Sequence, residues 1–374
     1  MKTKIANYII GLIFLIYYCI CIYNSYLQLV FYKNGWYLGE WLINYQDGGF
    51  KRRGLFGSLF IFLNELTHIK LEFIVFAFVS ILYAIFFTML IQLFMQKKNT
   101  LLTISIILLP AGMGMLLKDP TIIAKKEIMI FLPYLVYFVR LEARKSIKSI
   151  AVSLFIIIAI LNHEAAFFYI PFISFTYFIK SSEPSFSKFK NIILYHLAPA
   201  SVVMVLLYQF GYSISTPNSI QFLQKHGLML ILKGIYGYDP NYNVLNFYTA
   251  HSYGYLTYLI SLLFASVTFY IYCTLNKISI NKKFIAVQII FLIPLFYIAY
   301  DWGRWINIFF TLLTIFIIGE QQLVSTLKKD ITAVIVIAVN SLWKMLLFTA
   351  GFLTFPALDS IIKKVYYFIY FKFF

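Results

Sequence analysis

The chain reads as an all-α polytopic transmembrane helical bundle, and three observations carry that reading. Hydrophobic residues fill 61% of 374 positions and charged residues only 12%. Mean hydropathy is +0.83, which is more apolar than a water-soluble core of this size accommodates. The apolar residues also come in runs that match a bilayer, which needs about 20 helical residues at 1.5 Å each. No stretch is left for a soluble domain of ordinary size, so residues 1–374 are expected to form one integral membrane domain.

The first element is an apolar run from Tyr8 to Phe31, behind Lys2 and Lys4. It is too long for a signal-peptide core and has no small-residue cleavage site after it, so it is expected to stay as an uncleaved span. Leu55–Leu66 is too short to cross and is expected to lie in the interface or to re-enter. Further runs lie near 72–95, 101–117, 120–140, 150–162, 165–180, 192–210, 251–274, 284–300, 306–322 and 331–353. Together they make about eleven membrane segments. In the run 120–140, Asp119 can cap, Pro120 suits the first turn, and a helix is expected to continue to Arg140 with a kink at Pro133.

The stretch 150–180 is long for one span and short for two. Two half-length helices meeting at Asn162-His163-Glu164 would put a polar turn at depth, which is tolerated only where it lines a cavity. Charge decides between the readings. With a hairpin there, the loops on the N-terminal side of the membrane hold more Lys and Arg than those opposite, and a single span reverses the tally. The positive-inside rule therefore favours the hairpin and a cytoplasmic N-terminus. Under that topology DGGFKRRG (47–54), KKE (125–127), NHE (162–164), the long loop 211–250 and DWGRW (301–305) share the outer face. That loop carries an amphipathic stretch, Ile220–Ile235, and then the Tyr-rich GIYGYDPNYN, whose rings suit either sugar stacking or headgroup anchoring.

The net charge of +17 sits mostly in short loops, where it meets anionic lipid, so membrane lipid and not nucleic acid is the expected partner. Cys19, Cys21 and Cys273 fall inside spans and offer neither metal spacing nor a disulfide framework. Five dispersed histidines give no ligand pair, so no metal is assigned, although a divalent ion is compatible with the acids present. No glycine-rich nucleotide loop occurs and no cofactor is evident.

Charged groups beside a bilayer carry a large desolvation cost that usually serves function. Asp47, followed by two glycines and then Arg52 and Arg53, sets an acid near two guanidinium groups that can bind phosphate oxygens in pairs. The bland alternative is an interfacial loop meeting lipid headgroups. Lys126 and Glu127 are either a self-neutralising pair or a substrate-binding one. His163 and Glu164 at a broken helix suit acid–base work, or form a polar turn satisfied by neighbouring helices. Asp301 and Arg304 either pair locally at i, i+3 or bind substrate, with Trp305 stacking on sugar or anchoring at the interface.

The first-loop acid (Asp47), the polar broken helix (His163, Glu164), the long outer loop 211–250 and the late outer Arg304 together resemble the bacterial envelope glycosyltransferases of the GT-C type and the O-antigen polymerases. That resemblance implies a bacterial inner-membrane enzyme with a periplasmic active face. It would transfer or polymerise sugar from an undecaprenyl-linked donor to a glycan acceptor during O-antigen or capsule assembly, beside other polysaccharide-assembly proteins. It implies that Asp47 serves as catalytic base or binds a metal; the residues themselves make Asp47, Glu164 and His163 the catalytic candidates, and Arg52, Arg53, Lys126, Glu127, Asp301, Arg304 and Trp305 the substrate-binding ones. The competing class is a flippase that carries the same lipid-linked oligosaccharide without making bonds.

Overall fold

The computed structural model describes residues 2–97, 99–139, 145–211, 213–237, 252–299, 301–319, 327–346, 360–361 and 363–368. Among these residues the chain is helical and contains no strand, only an isolated bridge between Asn34 and Leu232. Five helices are long and apolar enough to cross a membrane: Ile5–Phe31, Leu71–Met95, Ser185–Phe210, Tyr253–Asn276 and Trp302–Gly319.

We number the α-helices in chain order: α1 Lys2–Tyr26, α2 Leu38–Trp41, α3 Leu55–Thr67, α4 Leu71–Met95, α5 Leu101–Ile107, α6 Met115–Lys118, α7 Ile128–Val139 and α8 Lys145–Asn162. There follow α9 Ile170–Lys180, α10 Ser185–Ile192, α11 Ala198–Phe210, α12 Ser219–Lys225, α13 Ser252–Asn276, α14 Lys282–Ile298, α15 Trp302–Gly319 and α16 Leu327–Leu342. A π turn, Leu27–Phe31, extends α1, and a second, Ile193–Leu197, joins α10 to α11.

Helix α15 is the axis of the bundle: 89% of its window is buried, against 22% for Ser185–Phe210. The outer helices turn Tyr8, Leu12, Val205, Tyr208, Ile290 and Tyr297 outward, a surface that lipid and not water would cover. At one end of the bundle Asn99 donates to Asn7 (2.8 Å) and Lys97 to the Gly319 carbonyl (2.6 Å). The start of α1, the end of α4 and the end of α15 therefore meet there. The opposite end gathers the end of α1, the start of α4 and the start of α15, and it holds the charged loops.

Helix α3 matches the short apolar piece read from the sequence. It stops where His68 takes a left-handed C-cap (φ 57°), and an aromatic cluster of Trp41, Phe56, Phe60 and Phe78 pins α2 and α3 to α4. Glu72 in the first turn of α4 pairs with Lys33 at 2.9 Å, a sign that suits the positive helix N-terminus.

Two expected spans are not continuous helices. The run 101–117 breaks after Ile107 and resumes at Met115. Pro110 cannot donate a backbone hydrogen bond, and α15 captures the loosened backbone where Asn307 donates to the Gly112 carbonyl at 2.7 Å. The run 120–140 forms only a 3-10 turn, Pro120–Ile122, before α7 starts at Ile128. Asp119 does receive the Thr121 N–H (3.0 Å). Ala124, however, sits at φ 66°, where Trp41 Nε1 donates to its carbonyl (2.7 Å) and Tyr83 Oη receives its N–H (3.3 Å). These tertiary bonds replace the helical ones. Pro133 does lie inside α7.

The break at 162–164 is present. Helix α8 ends at Asn162, His163 is extended (φ −156°), a 3-10 turn covers Glu164–Tyr169, and α9 opens with Pro171 in its first turn. Ser153 on α8 donates to the Tyr195 carbonyl (2.7 Å), and Ser174 on α9 meets His196 Nδ1 (3.1 Å). A straight helix would separate those serines by about 30 Å. The chain therefore doubles back, and both legs lie against the same π turn.

Within the long loop only Ser219–Lys225 of the amphipathic stretch is α-helical. Gly227 (φ 78°) follows, and the backbone then turns to pair with the first loop, where Gly35 N–H meets the Leu232 carbonyl at 3.0 Å. Gly234–Gly237 forms a 3-10 turn, and residues 238–250, with most of the Tyr-rich motif, lie outside the described residues. Helix α16 stops at Leu342, short of the expected 353, and residues 347–359 also lie outside the described residues.

Candidate functional site

The clusters KRR, KKE, NHE and DWGR, separate in sequence, join in one buried ionic network. Its hub is Glu40, 3% exposed on the single turn α2. Glu40 receives Arg53 at 3.0 Å and Lys125 at 3.4 Å, and Arg304 approaches to 3.9 Å. Burial alone would raise its pKa, but Lys125, Arg304 and Arg53 outweigh that and hold the carboxyl well below the usual range.

Arg53 holds the site open to two acids at once. Its backbone is left-handed (φ 67°), a conformation that costs a non-glycine residue on the order of 1 kcal/mol. From there Nη1 reaches Glu40, while Nε and Nη2 grip the two Glu164 oxygens at 2.8 and 2.6 Å. Arg52 Nη1 lies 3.7 Å from Glu164 Oε1. The Glu164 carboxyl is held well below the usual range, because Arg53's charge and hydrogen bonds outweigh the cost of burial.

Arg304 enters from the first turn of α15. It bonds Glu127, Asp301 (3.1 Å) and His163 Nε2 (3.0 Å), and lies over the Trp305 ring at 5.5 Å. Arginine only donates, so Nε2 of His163 must offer its lone pair and the ring proton sits on Nδ1. Ala165 N–H also approaches Nδ1 at 3.3 Å, but a neutral ring has one acceptor, and the charge-assisted contact takes it. Burial, with Arg53 and Arg304 nearby, keeps the His163 pKa well below its ordinary value. His163 is therefore a neutral acceptor here.

Lys125 also donates to the Trp36 carbonyl (2.5 Å), and Lys126 donates to the Arg53 carbonyl (3.2 Å) under the Trp41 ring. Burial pushes Lys126 down to about 7, against the pull of Glu40. Glu40, Glu127, Glu164 and Asp301 thus face Arg52, Arg53, Lys125, Arg304 and a partly protonated Lys126. The network nearly neutralises itself, as buried charges must. Its buried atoms without a hydrogen-bond partner among the described residues include Glu127 Oε2, Asp301 Oδ1 and Trp305 Nε1. A small cavity lined by Tyr83, Lys125, Glu127, Asn307 and Thr311 adjoins Glu127.

Access is one-sided. Arg52 (37%), Glu164 (20%), Asp301 (17%) and Arg53 (14%) keep side-chain exposure, whereas Glu40, Lys125, Glu127, His163 and Arg304 are sealed.

Asp47 stands apart. It pairs with Lys51, and the two side chains are 2% and 1% exposed. The Thr216 hydroxyl donates to the Asp47 carbonyl (3.0 Å) and Arg52 N–H to the Gly211 carbonyl (2.8 Å). This part of DGGFKRRG ties the first loop to the long one. The sequence reading missed Glu40, although an acid inside the apolar LGEWLI is the kind of residue that must find cations. Among the described residues no three His, Cys, Asp or Glu side chains group closely enough to hold a metal.

No protein-family model, no curated protein and no solved structure matches this chain.

Proposed function

We propose that the protein transfers or polymerises glycan from a polyprenyl-linked sugar donor on the periplasmic face of a bacterial inner membrane, in O-antigen or capsule assembly. The observation that carries this reading is the convergence of four sequence-distant charged clusters at one end of an apolar bundle, with guanidinium groups at the accessible rim. Such a cluster fits a substrate with a charged head. A small apolar cavity lined by Ile156, Tyr169 and Ile173 among others adjoins the Glu164 turn.

In this reading the acceptor hydroxyl attacks the anomeric carbon of the donor. The bond from that carbon to the phosphate oxygen breaks, and the leaving phosphate is neutralised by Arg52, Arg53 and Arg304. Glu164, released from Arg53, takes the hydroxyl proton, and Asp301 and Trp305 offer free polar atoms to sugar hydroxyls. Asp47, closed on Lys51, shapes the loop. The bundle has about eleven membrane segments, with α8–α9 as a hairpin entering from the cytoplasmic face, its polar turn reaching the outer side, and α3 interfacial.

The test is reconstitution of the purified protein in liposomes with a synthetic polyprenyl-diphosphate sugar and an acceptor glycan. New glycosidic product is expected, and transport of intact donor without product overturns the transferase. That second reading, a flippase, is favoured by one observation: each acid of the network already holds a cation, so no base stands ready. Reporter fusions after Asn99, Lys148, Ser187 and Lys282 should report cytoplasm, and those near Gly48, Asn241 and Gly303 periplasm. Asn241 and Lys148 on one side would refute the topology.

A further inference from the structure

We propose that Glu164 is a resident stand-in for an incoming phosphate: its carboxylate occupies an oxyanion site built by Arg52 and Arg53, and the ligand enters by exchanging with it. The inference rests on the proposed handling of a phosphate-bearing ligand at this end of the bundle, and it holds whether or not a bond is then made.

Four observations carry it. The Glu164 oxygens sit 2.8 and 2.6 Å from Nε and Nη2 of Arg53, the paired geometry in which arginine also takes phosphate. A second cation, Arg52, approaches the same Oε1 at 3.7 Å and is 37% exposed, so a larger anion can draw it in. Arg53 is anchored from behind, because its third nitrogen is held by the sealed Glu40. The guanidinium therefore stays in place when Glu164 leaves. Glu164 is also the most exposed acid of the network, and it projects from a six-residue 3-10 turn and not from a long helix. Its departure leaves Arg52, Arg53, Lys125 and Arg304 facing only Glu40, Glu127 and Asp301, an imbalance that an entering anion corrects.

The carboxylate then does two things. It keeps buried arginines neutralised while the site is empty, and it sets a threshold that only a strongly charged, multidentate anion crosses. Once displaced it lies beside the bound phosphate, free of its strongest counter-ion. Exchange thus couples ligand arrival to release of a base.

The test uses the full chain in detergent or nanodiscs and titrates pyrophosphate in one arm and phosphatidic acid in nanodiscs, against phosphatidylcholine alone, in the other. Glu164→Gln should bind at least about tenfold tighter than wild type, and adding Arg52→Gln should cancel the gain. A gain with pyrophosphate alone assigns the site to soluble phosphates, and a gain with the lipid alone assigns it to headgroups; either supports exchange. A folded Glu164→Gln protein that binds neither probe more tightly than wild type overturns the proposal. Should Glu164→Gln fail to fold, Glu164→Asp, too short to fill the fork, is expected to show a smaller gain. Arg52→Gln in the wild-type background is expected to weaken pyrophosphate binding, and unchanged binding there also overturns it. Anion exchange without glycosidic product in liposomes would remove the transferase reading and leave this one standing.

Discussion

Two acid–base pairs start from one short loop and have opposite characters. Asp47–Lys51 is local, an i, i+4 contact with both side chains almost fully sealed. Arg53–Glu164 joins residues 111 positions apart and keeps 14% and 20% of its side chains exposed. The first pair fixes a loop; the second closes a site that something outside can reach.

Substitutions can break that contrast. The largest effect is expected at Arg304, whose removal strands Glu127 and Asp301: Arg304→Met should cost about 3–5 kcal/mol, read as loss of folded protein by fluorescence-detected size exclusion. Asp47→Asn strands Lys51 and should likewise reduce the amount of folded protein, with turnover per folded molecule unchanged. Glu164→Gln should do the reverse. Folded protein stays near normal while, on the proposed glycosyl transfer, product formation falls about 10²–10⁴-fold, the usual loss for a general base. If Asp47→Asn loses turnover with full folding, the roles of the two pairs have been exchanged.

Smaller effects sharpen the same contrast. Arg52→Lys and Arg53→Lys keep charge but lose the planar fork, so glycan chains should shorten on a gel, while Lys51→Arg should be mild. The smallest expected effect concerns Lys126, where a single proton is at stake. Its pKa is about 7 in the fold against 10.5 for the ordinary side chain. Between those values the unfolded chain binds more protons, so stability should rise as pH increases through that window. Thermal unfolding from pH 7 to 10 checks the sign, and Lys126→Met should flatten the slope.

The long apolar runs were legible because length and hydropathy suffice for helices such as α1, α4, α13 and α15. The interruption at 108–114 had a local sign in Pro110, but the one at 123–127 did not, because distant partners impose it. Nothing near Ala124 announces that Trp41 and Tyr83 will take its backbone groups. The broken helix at His163 was legible, since three polar residues inside an apolar stretch need a reason. Its network partners were found as residue types but not as partners. Glu40 was passed over beside the more conspicuous DGG, and Asp47 took the role that a first-loop acid suggests.

Arg304 arrives late. Its partner Glu127 precedes it by 177 residues, so a ribosome adding about 5–20 residues per second completes Glu127 roughly 10–35 s before its counter-ion exists. During that interval the half-made bundle lacks its central helix, and Glu127 lacks the guanidinium that Arg304 brings. Insertion of α15 supplies in one step the missing apolar axis, the guanidinium for Glu127 and the amide for the Gly112 carbonyl.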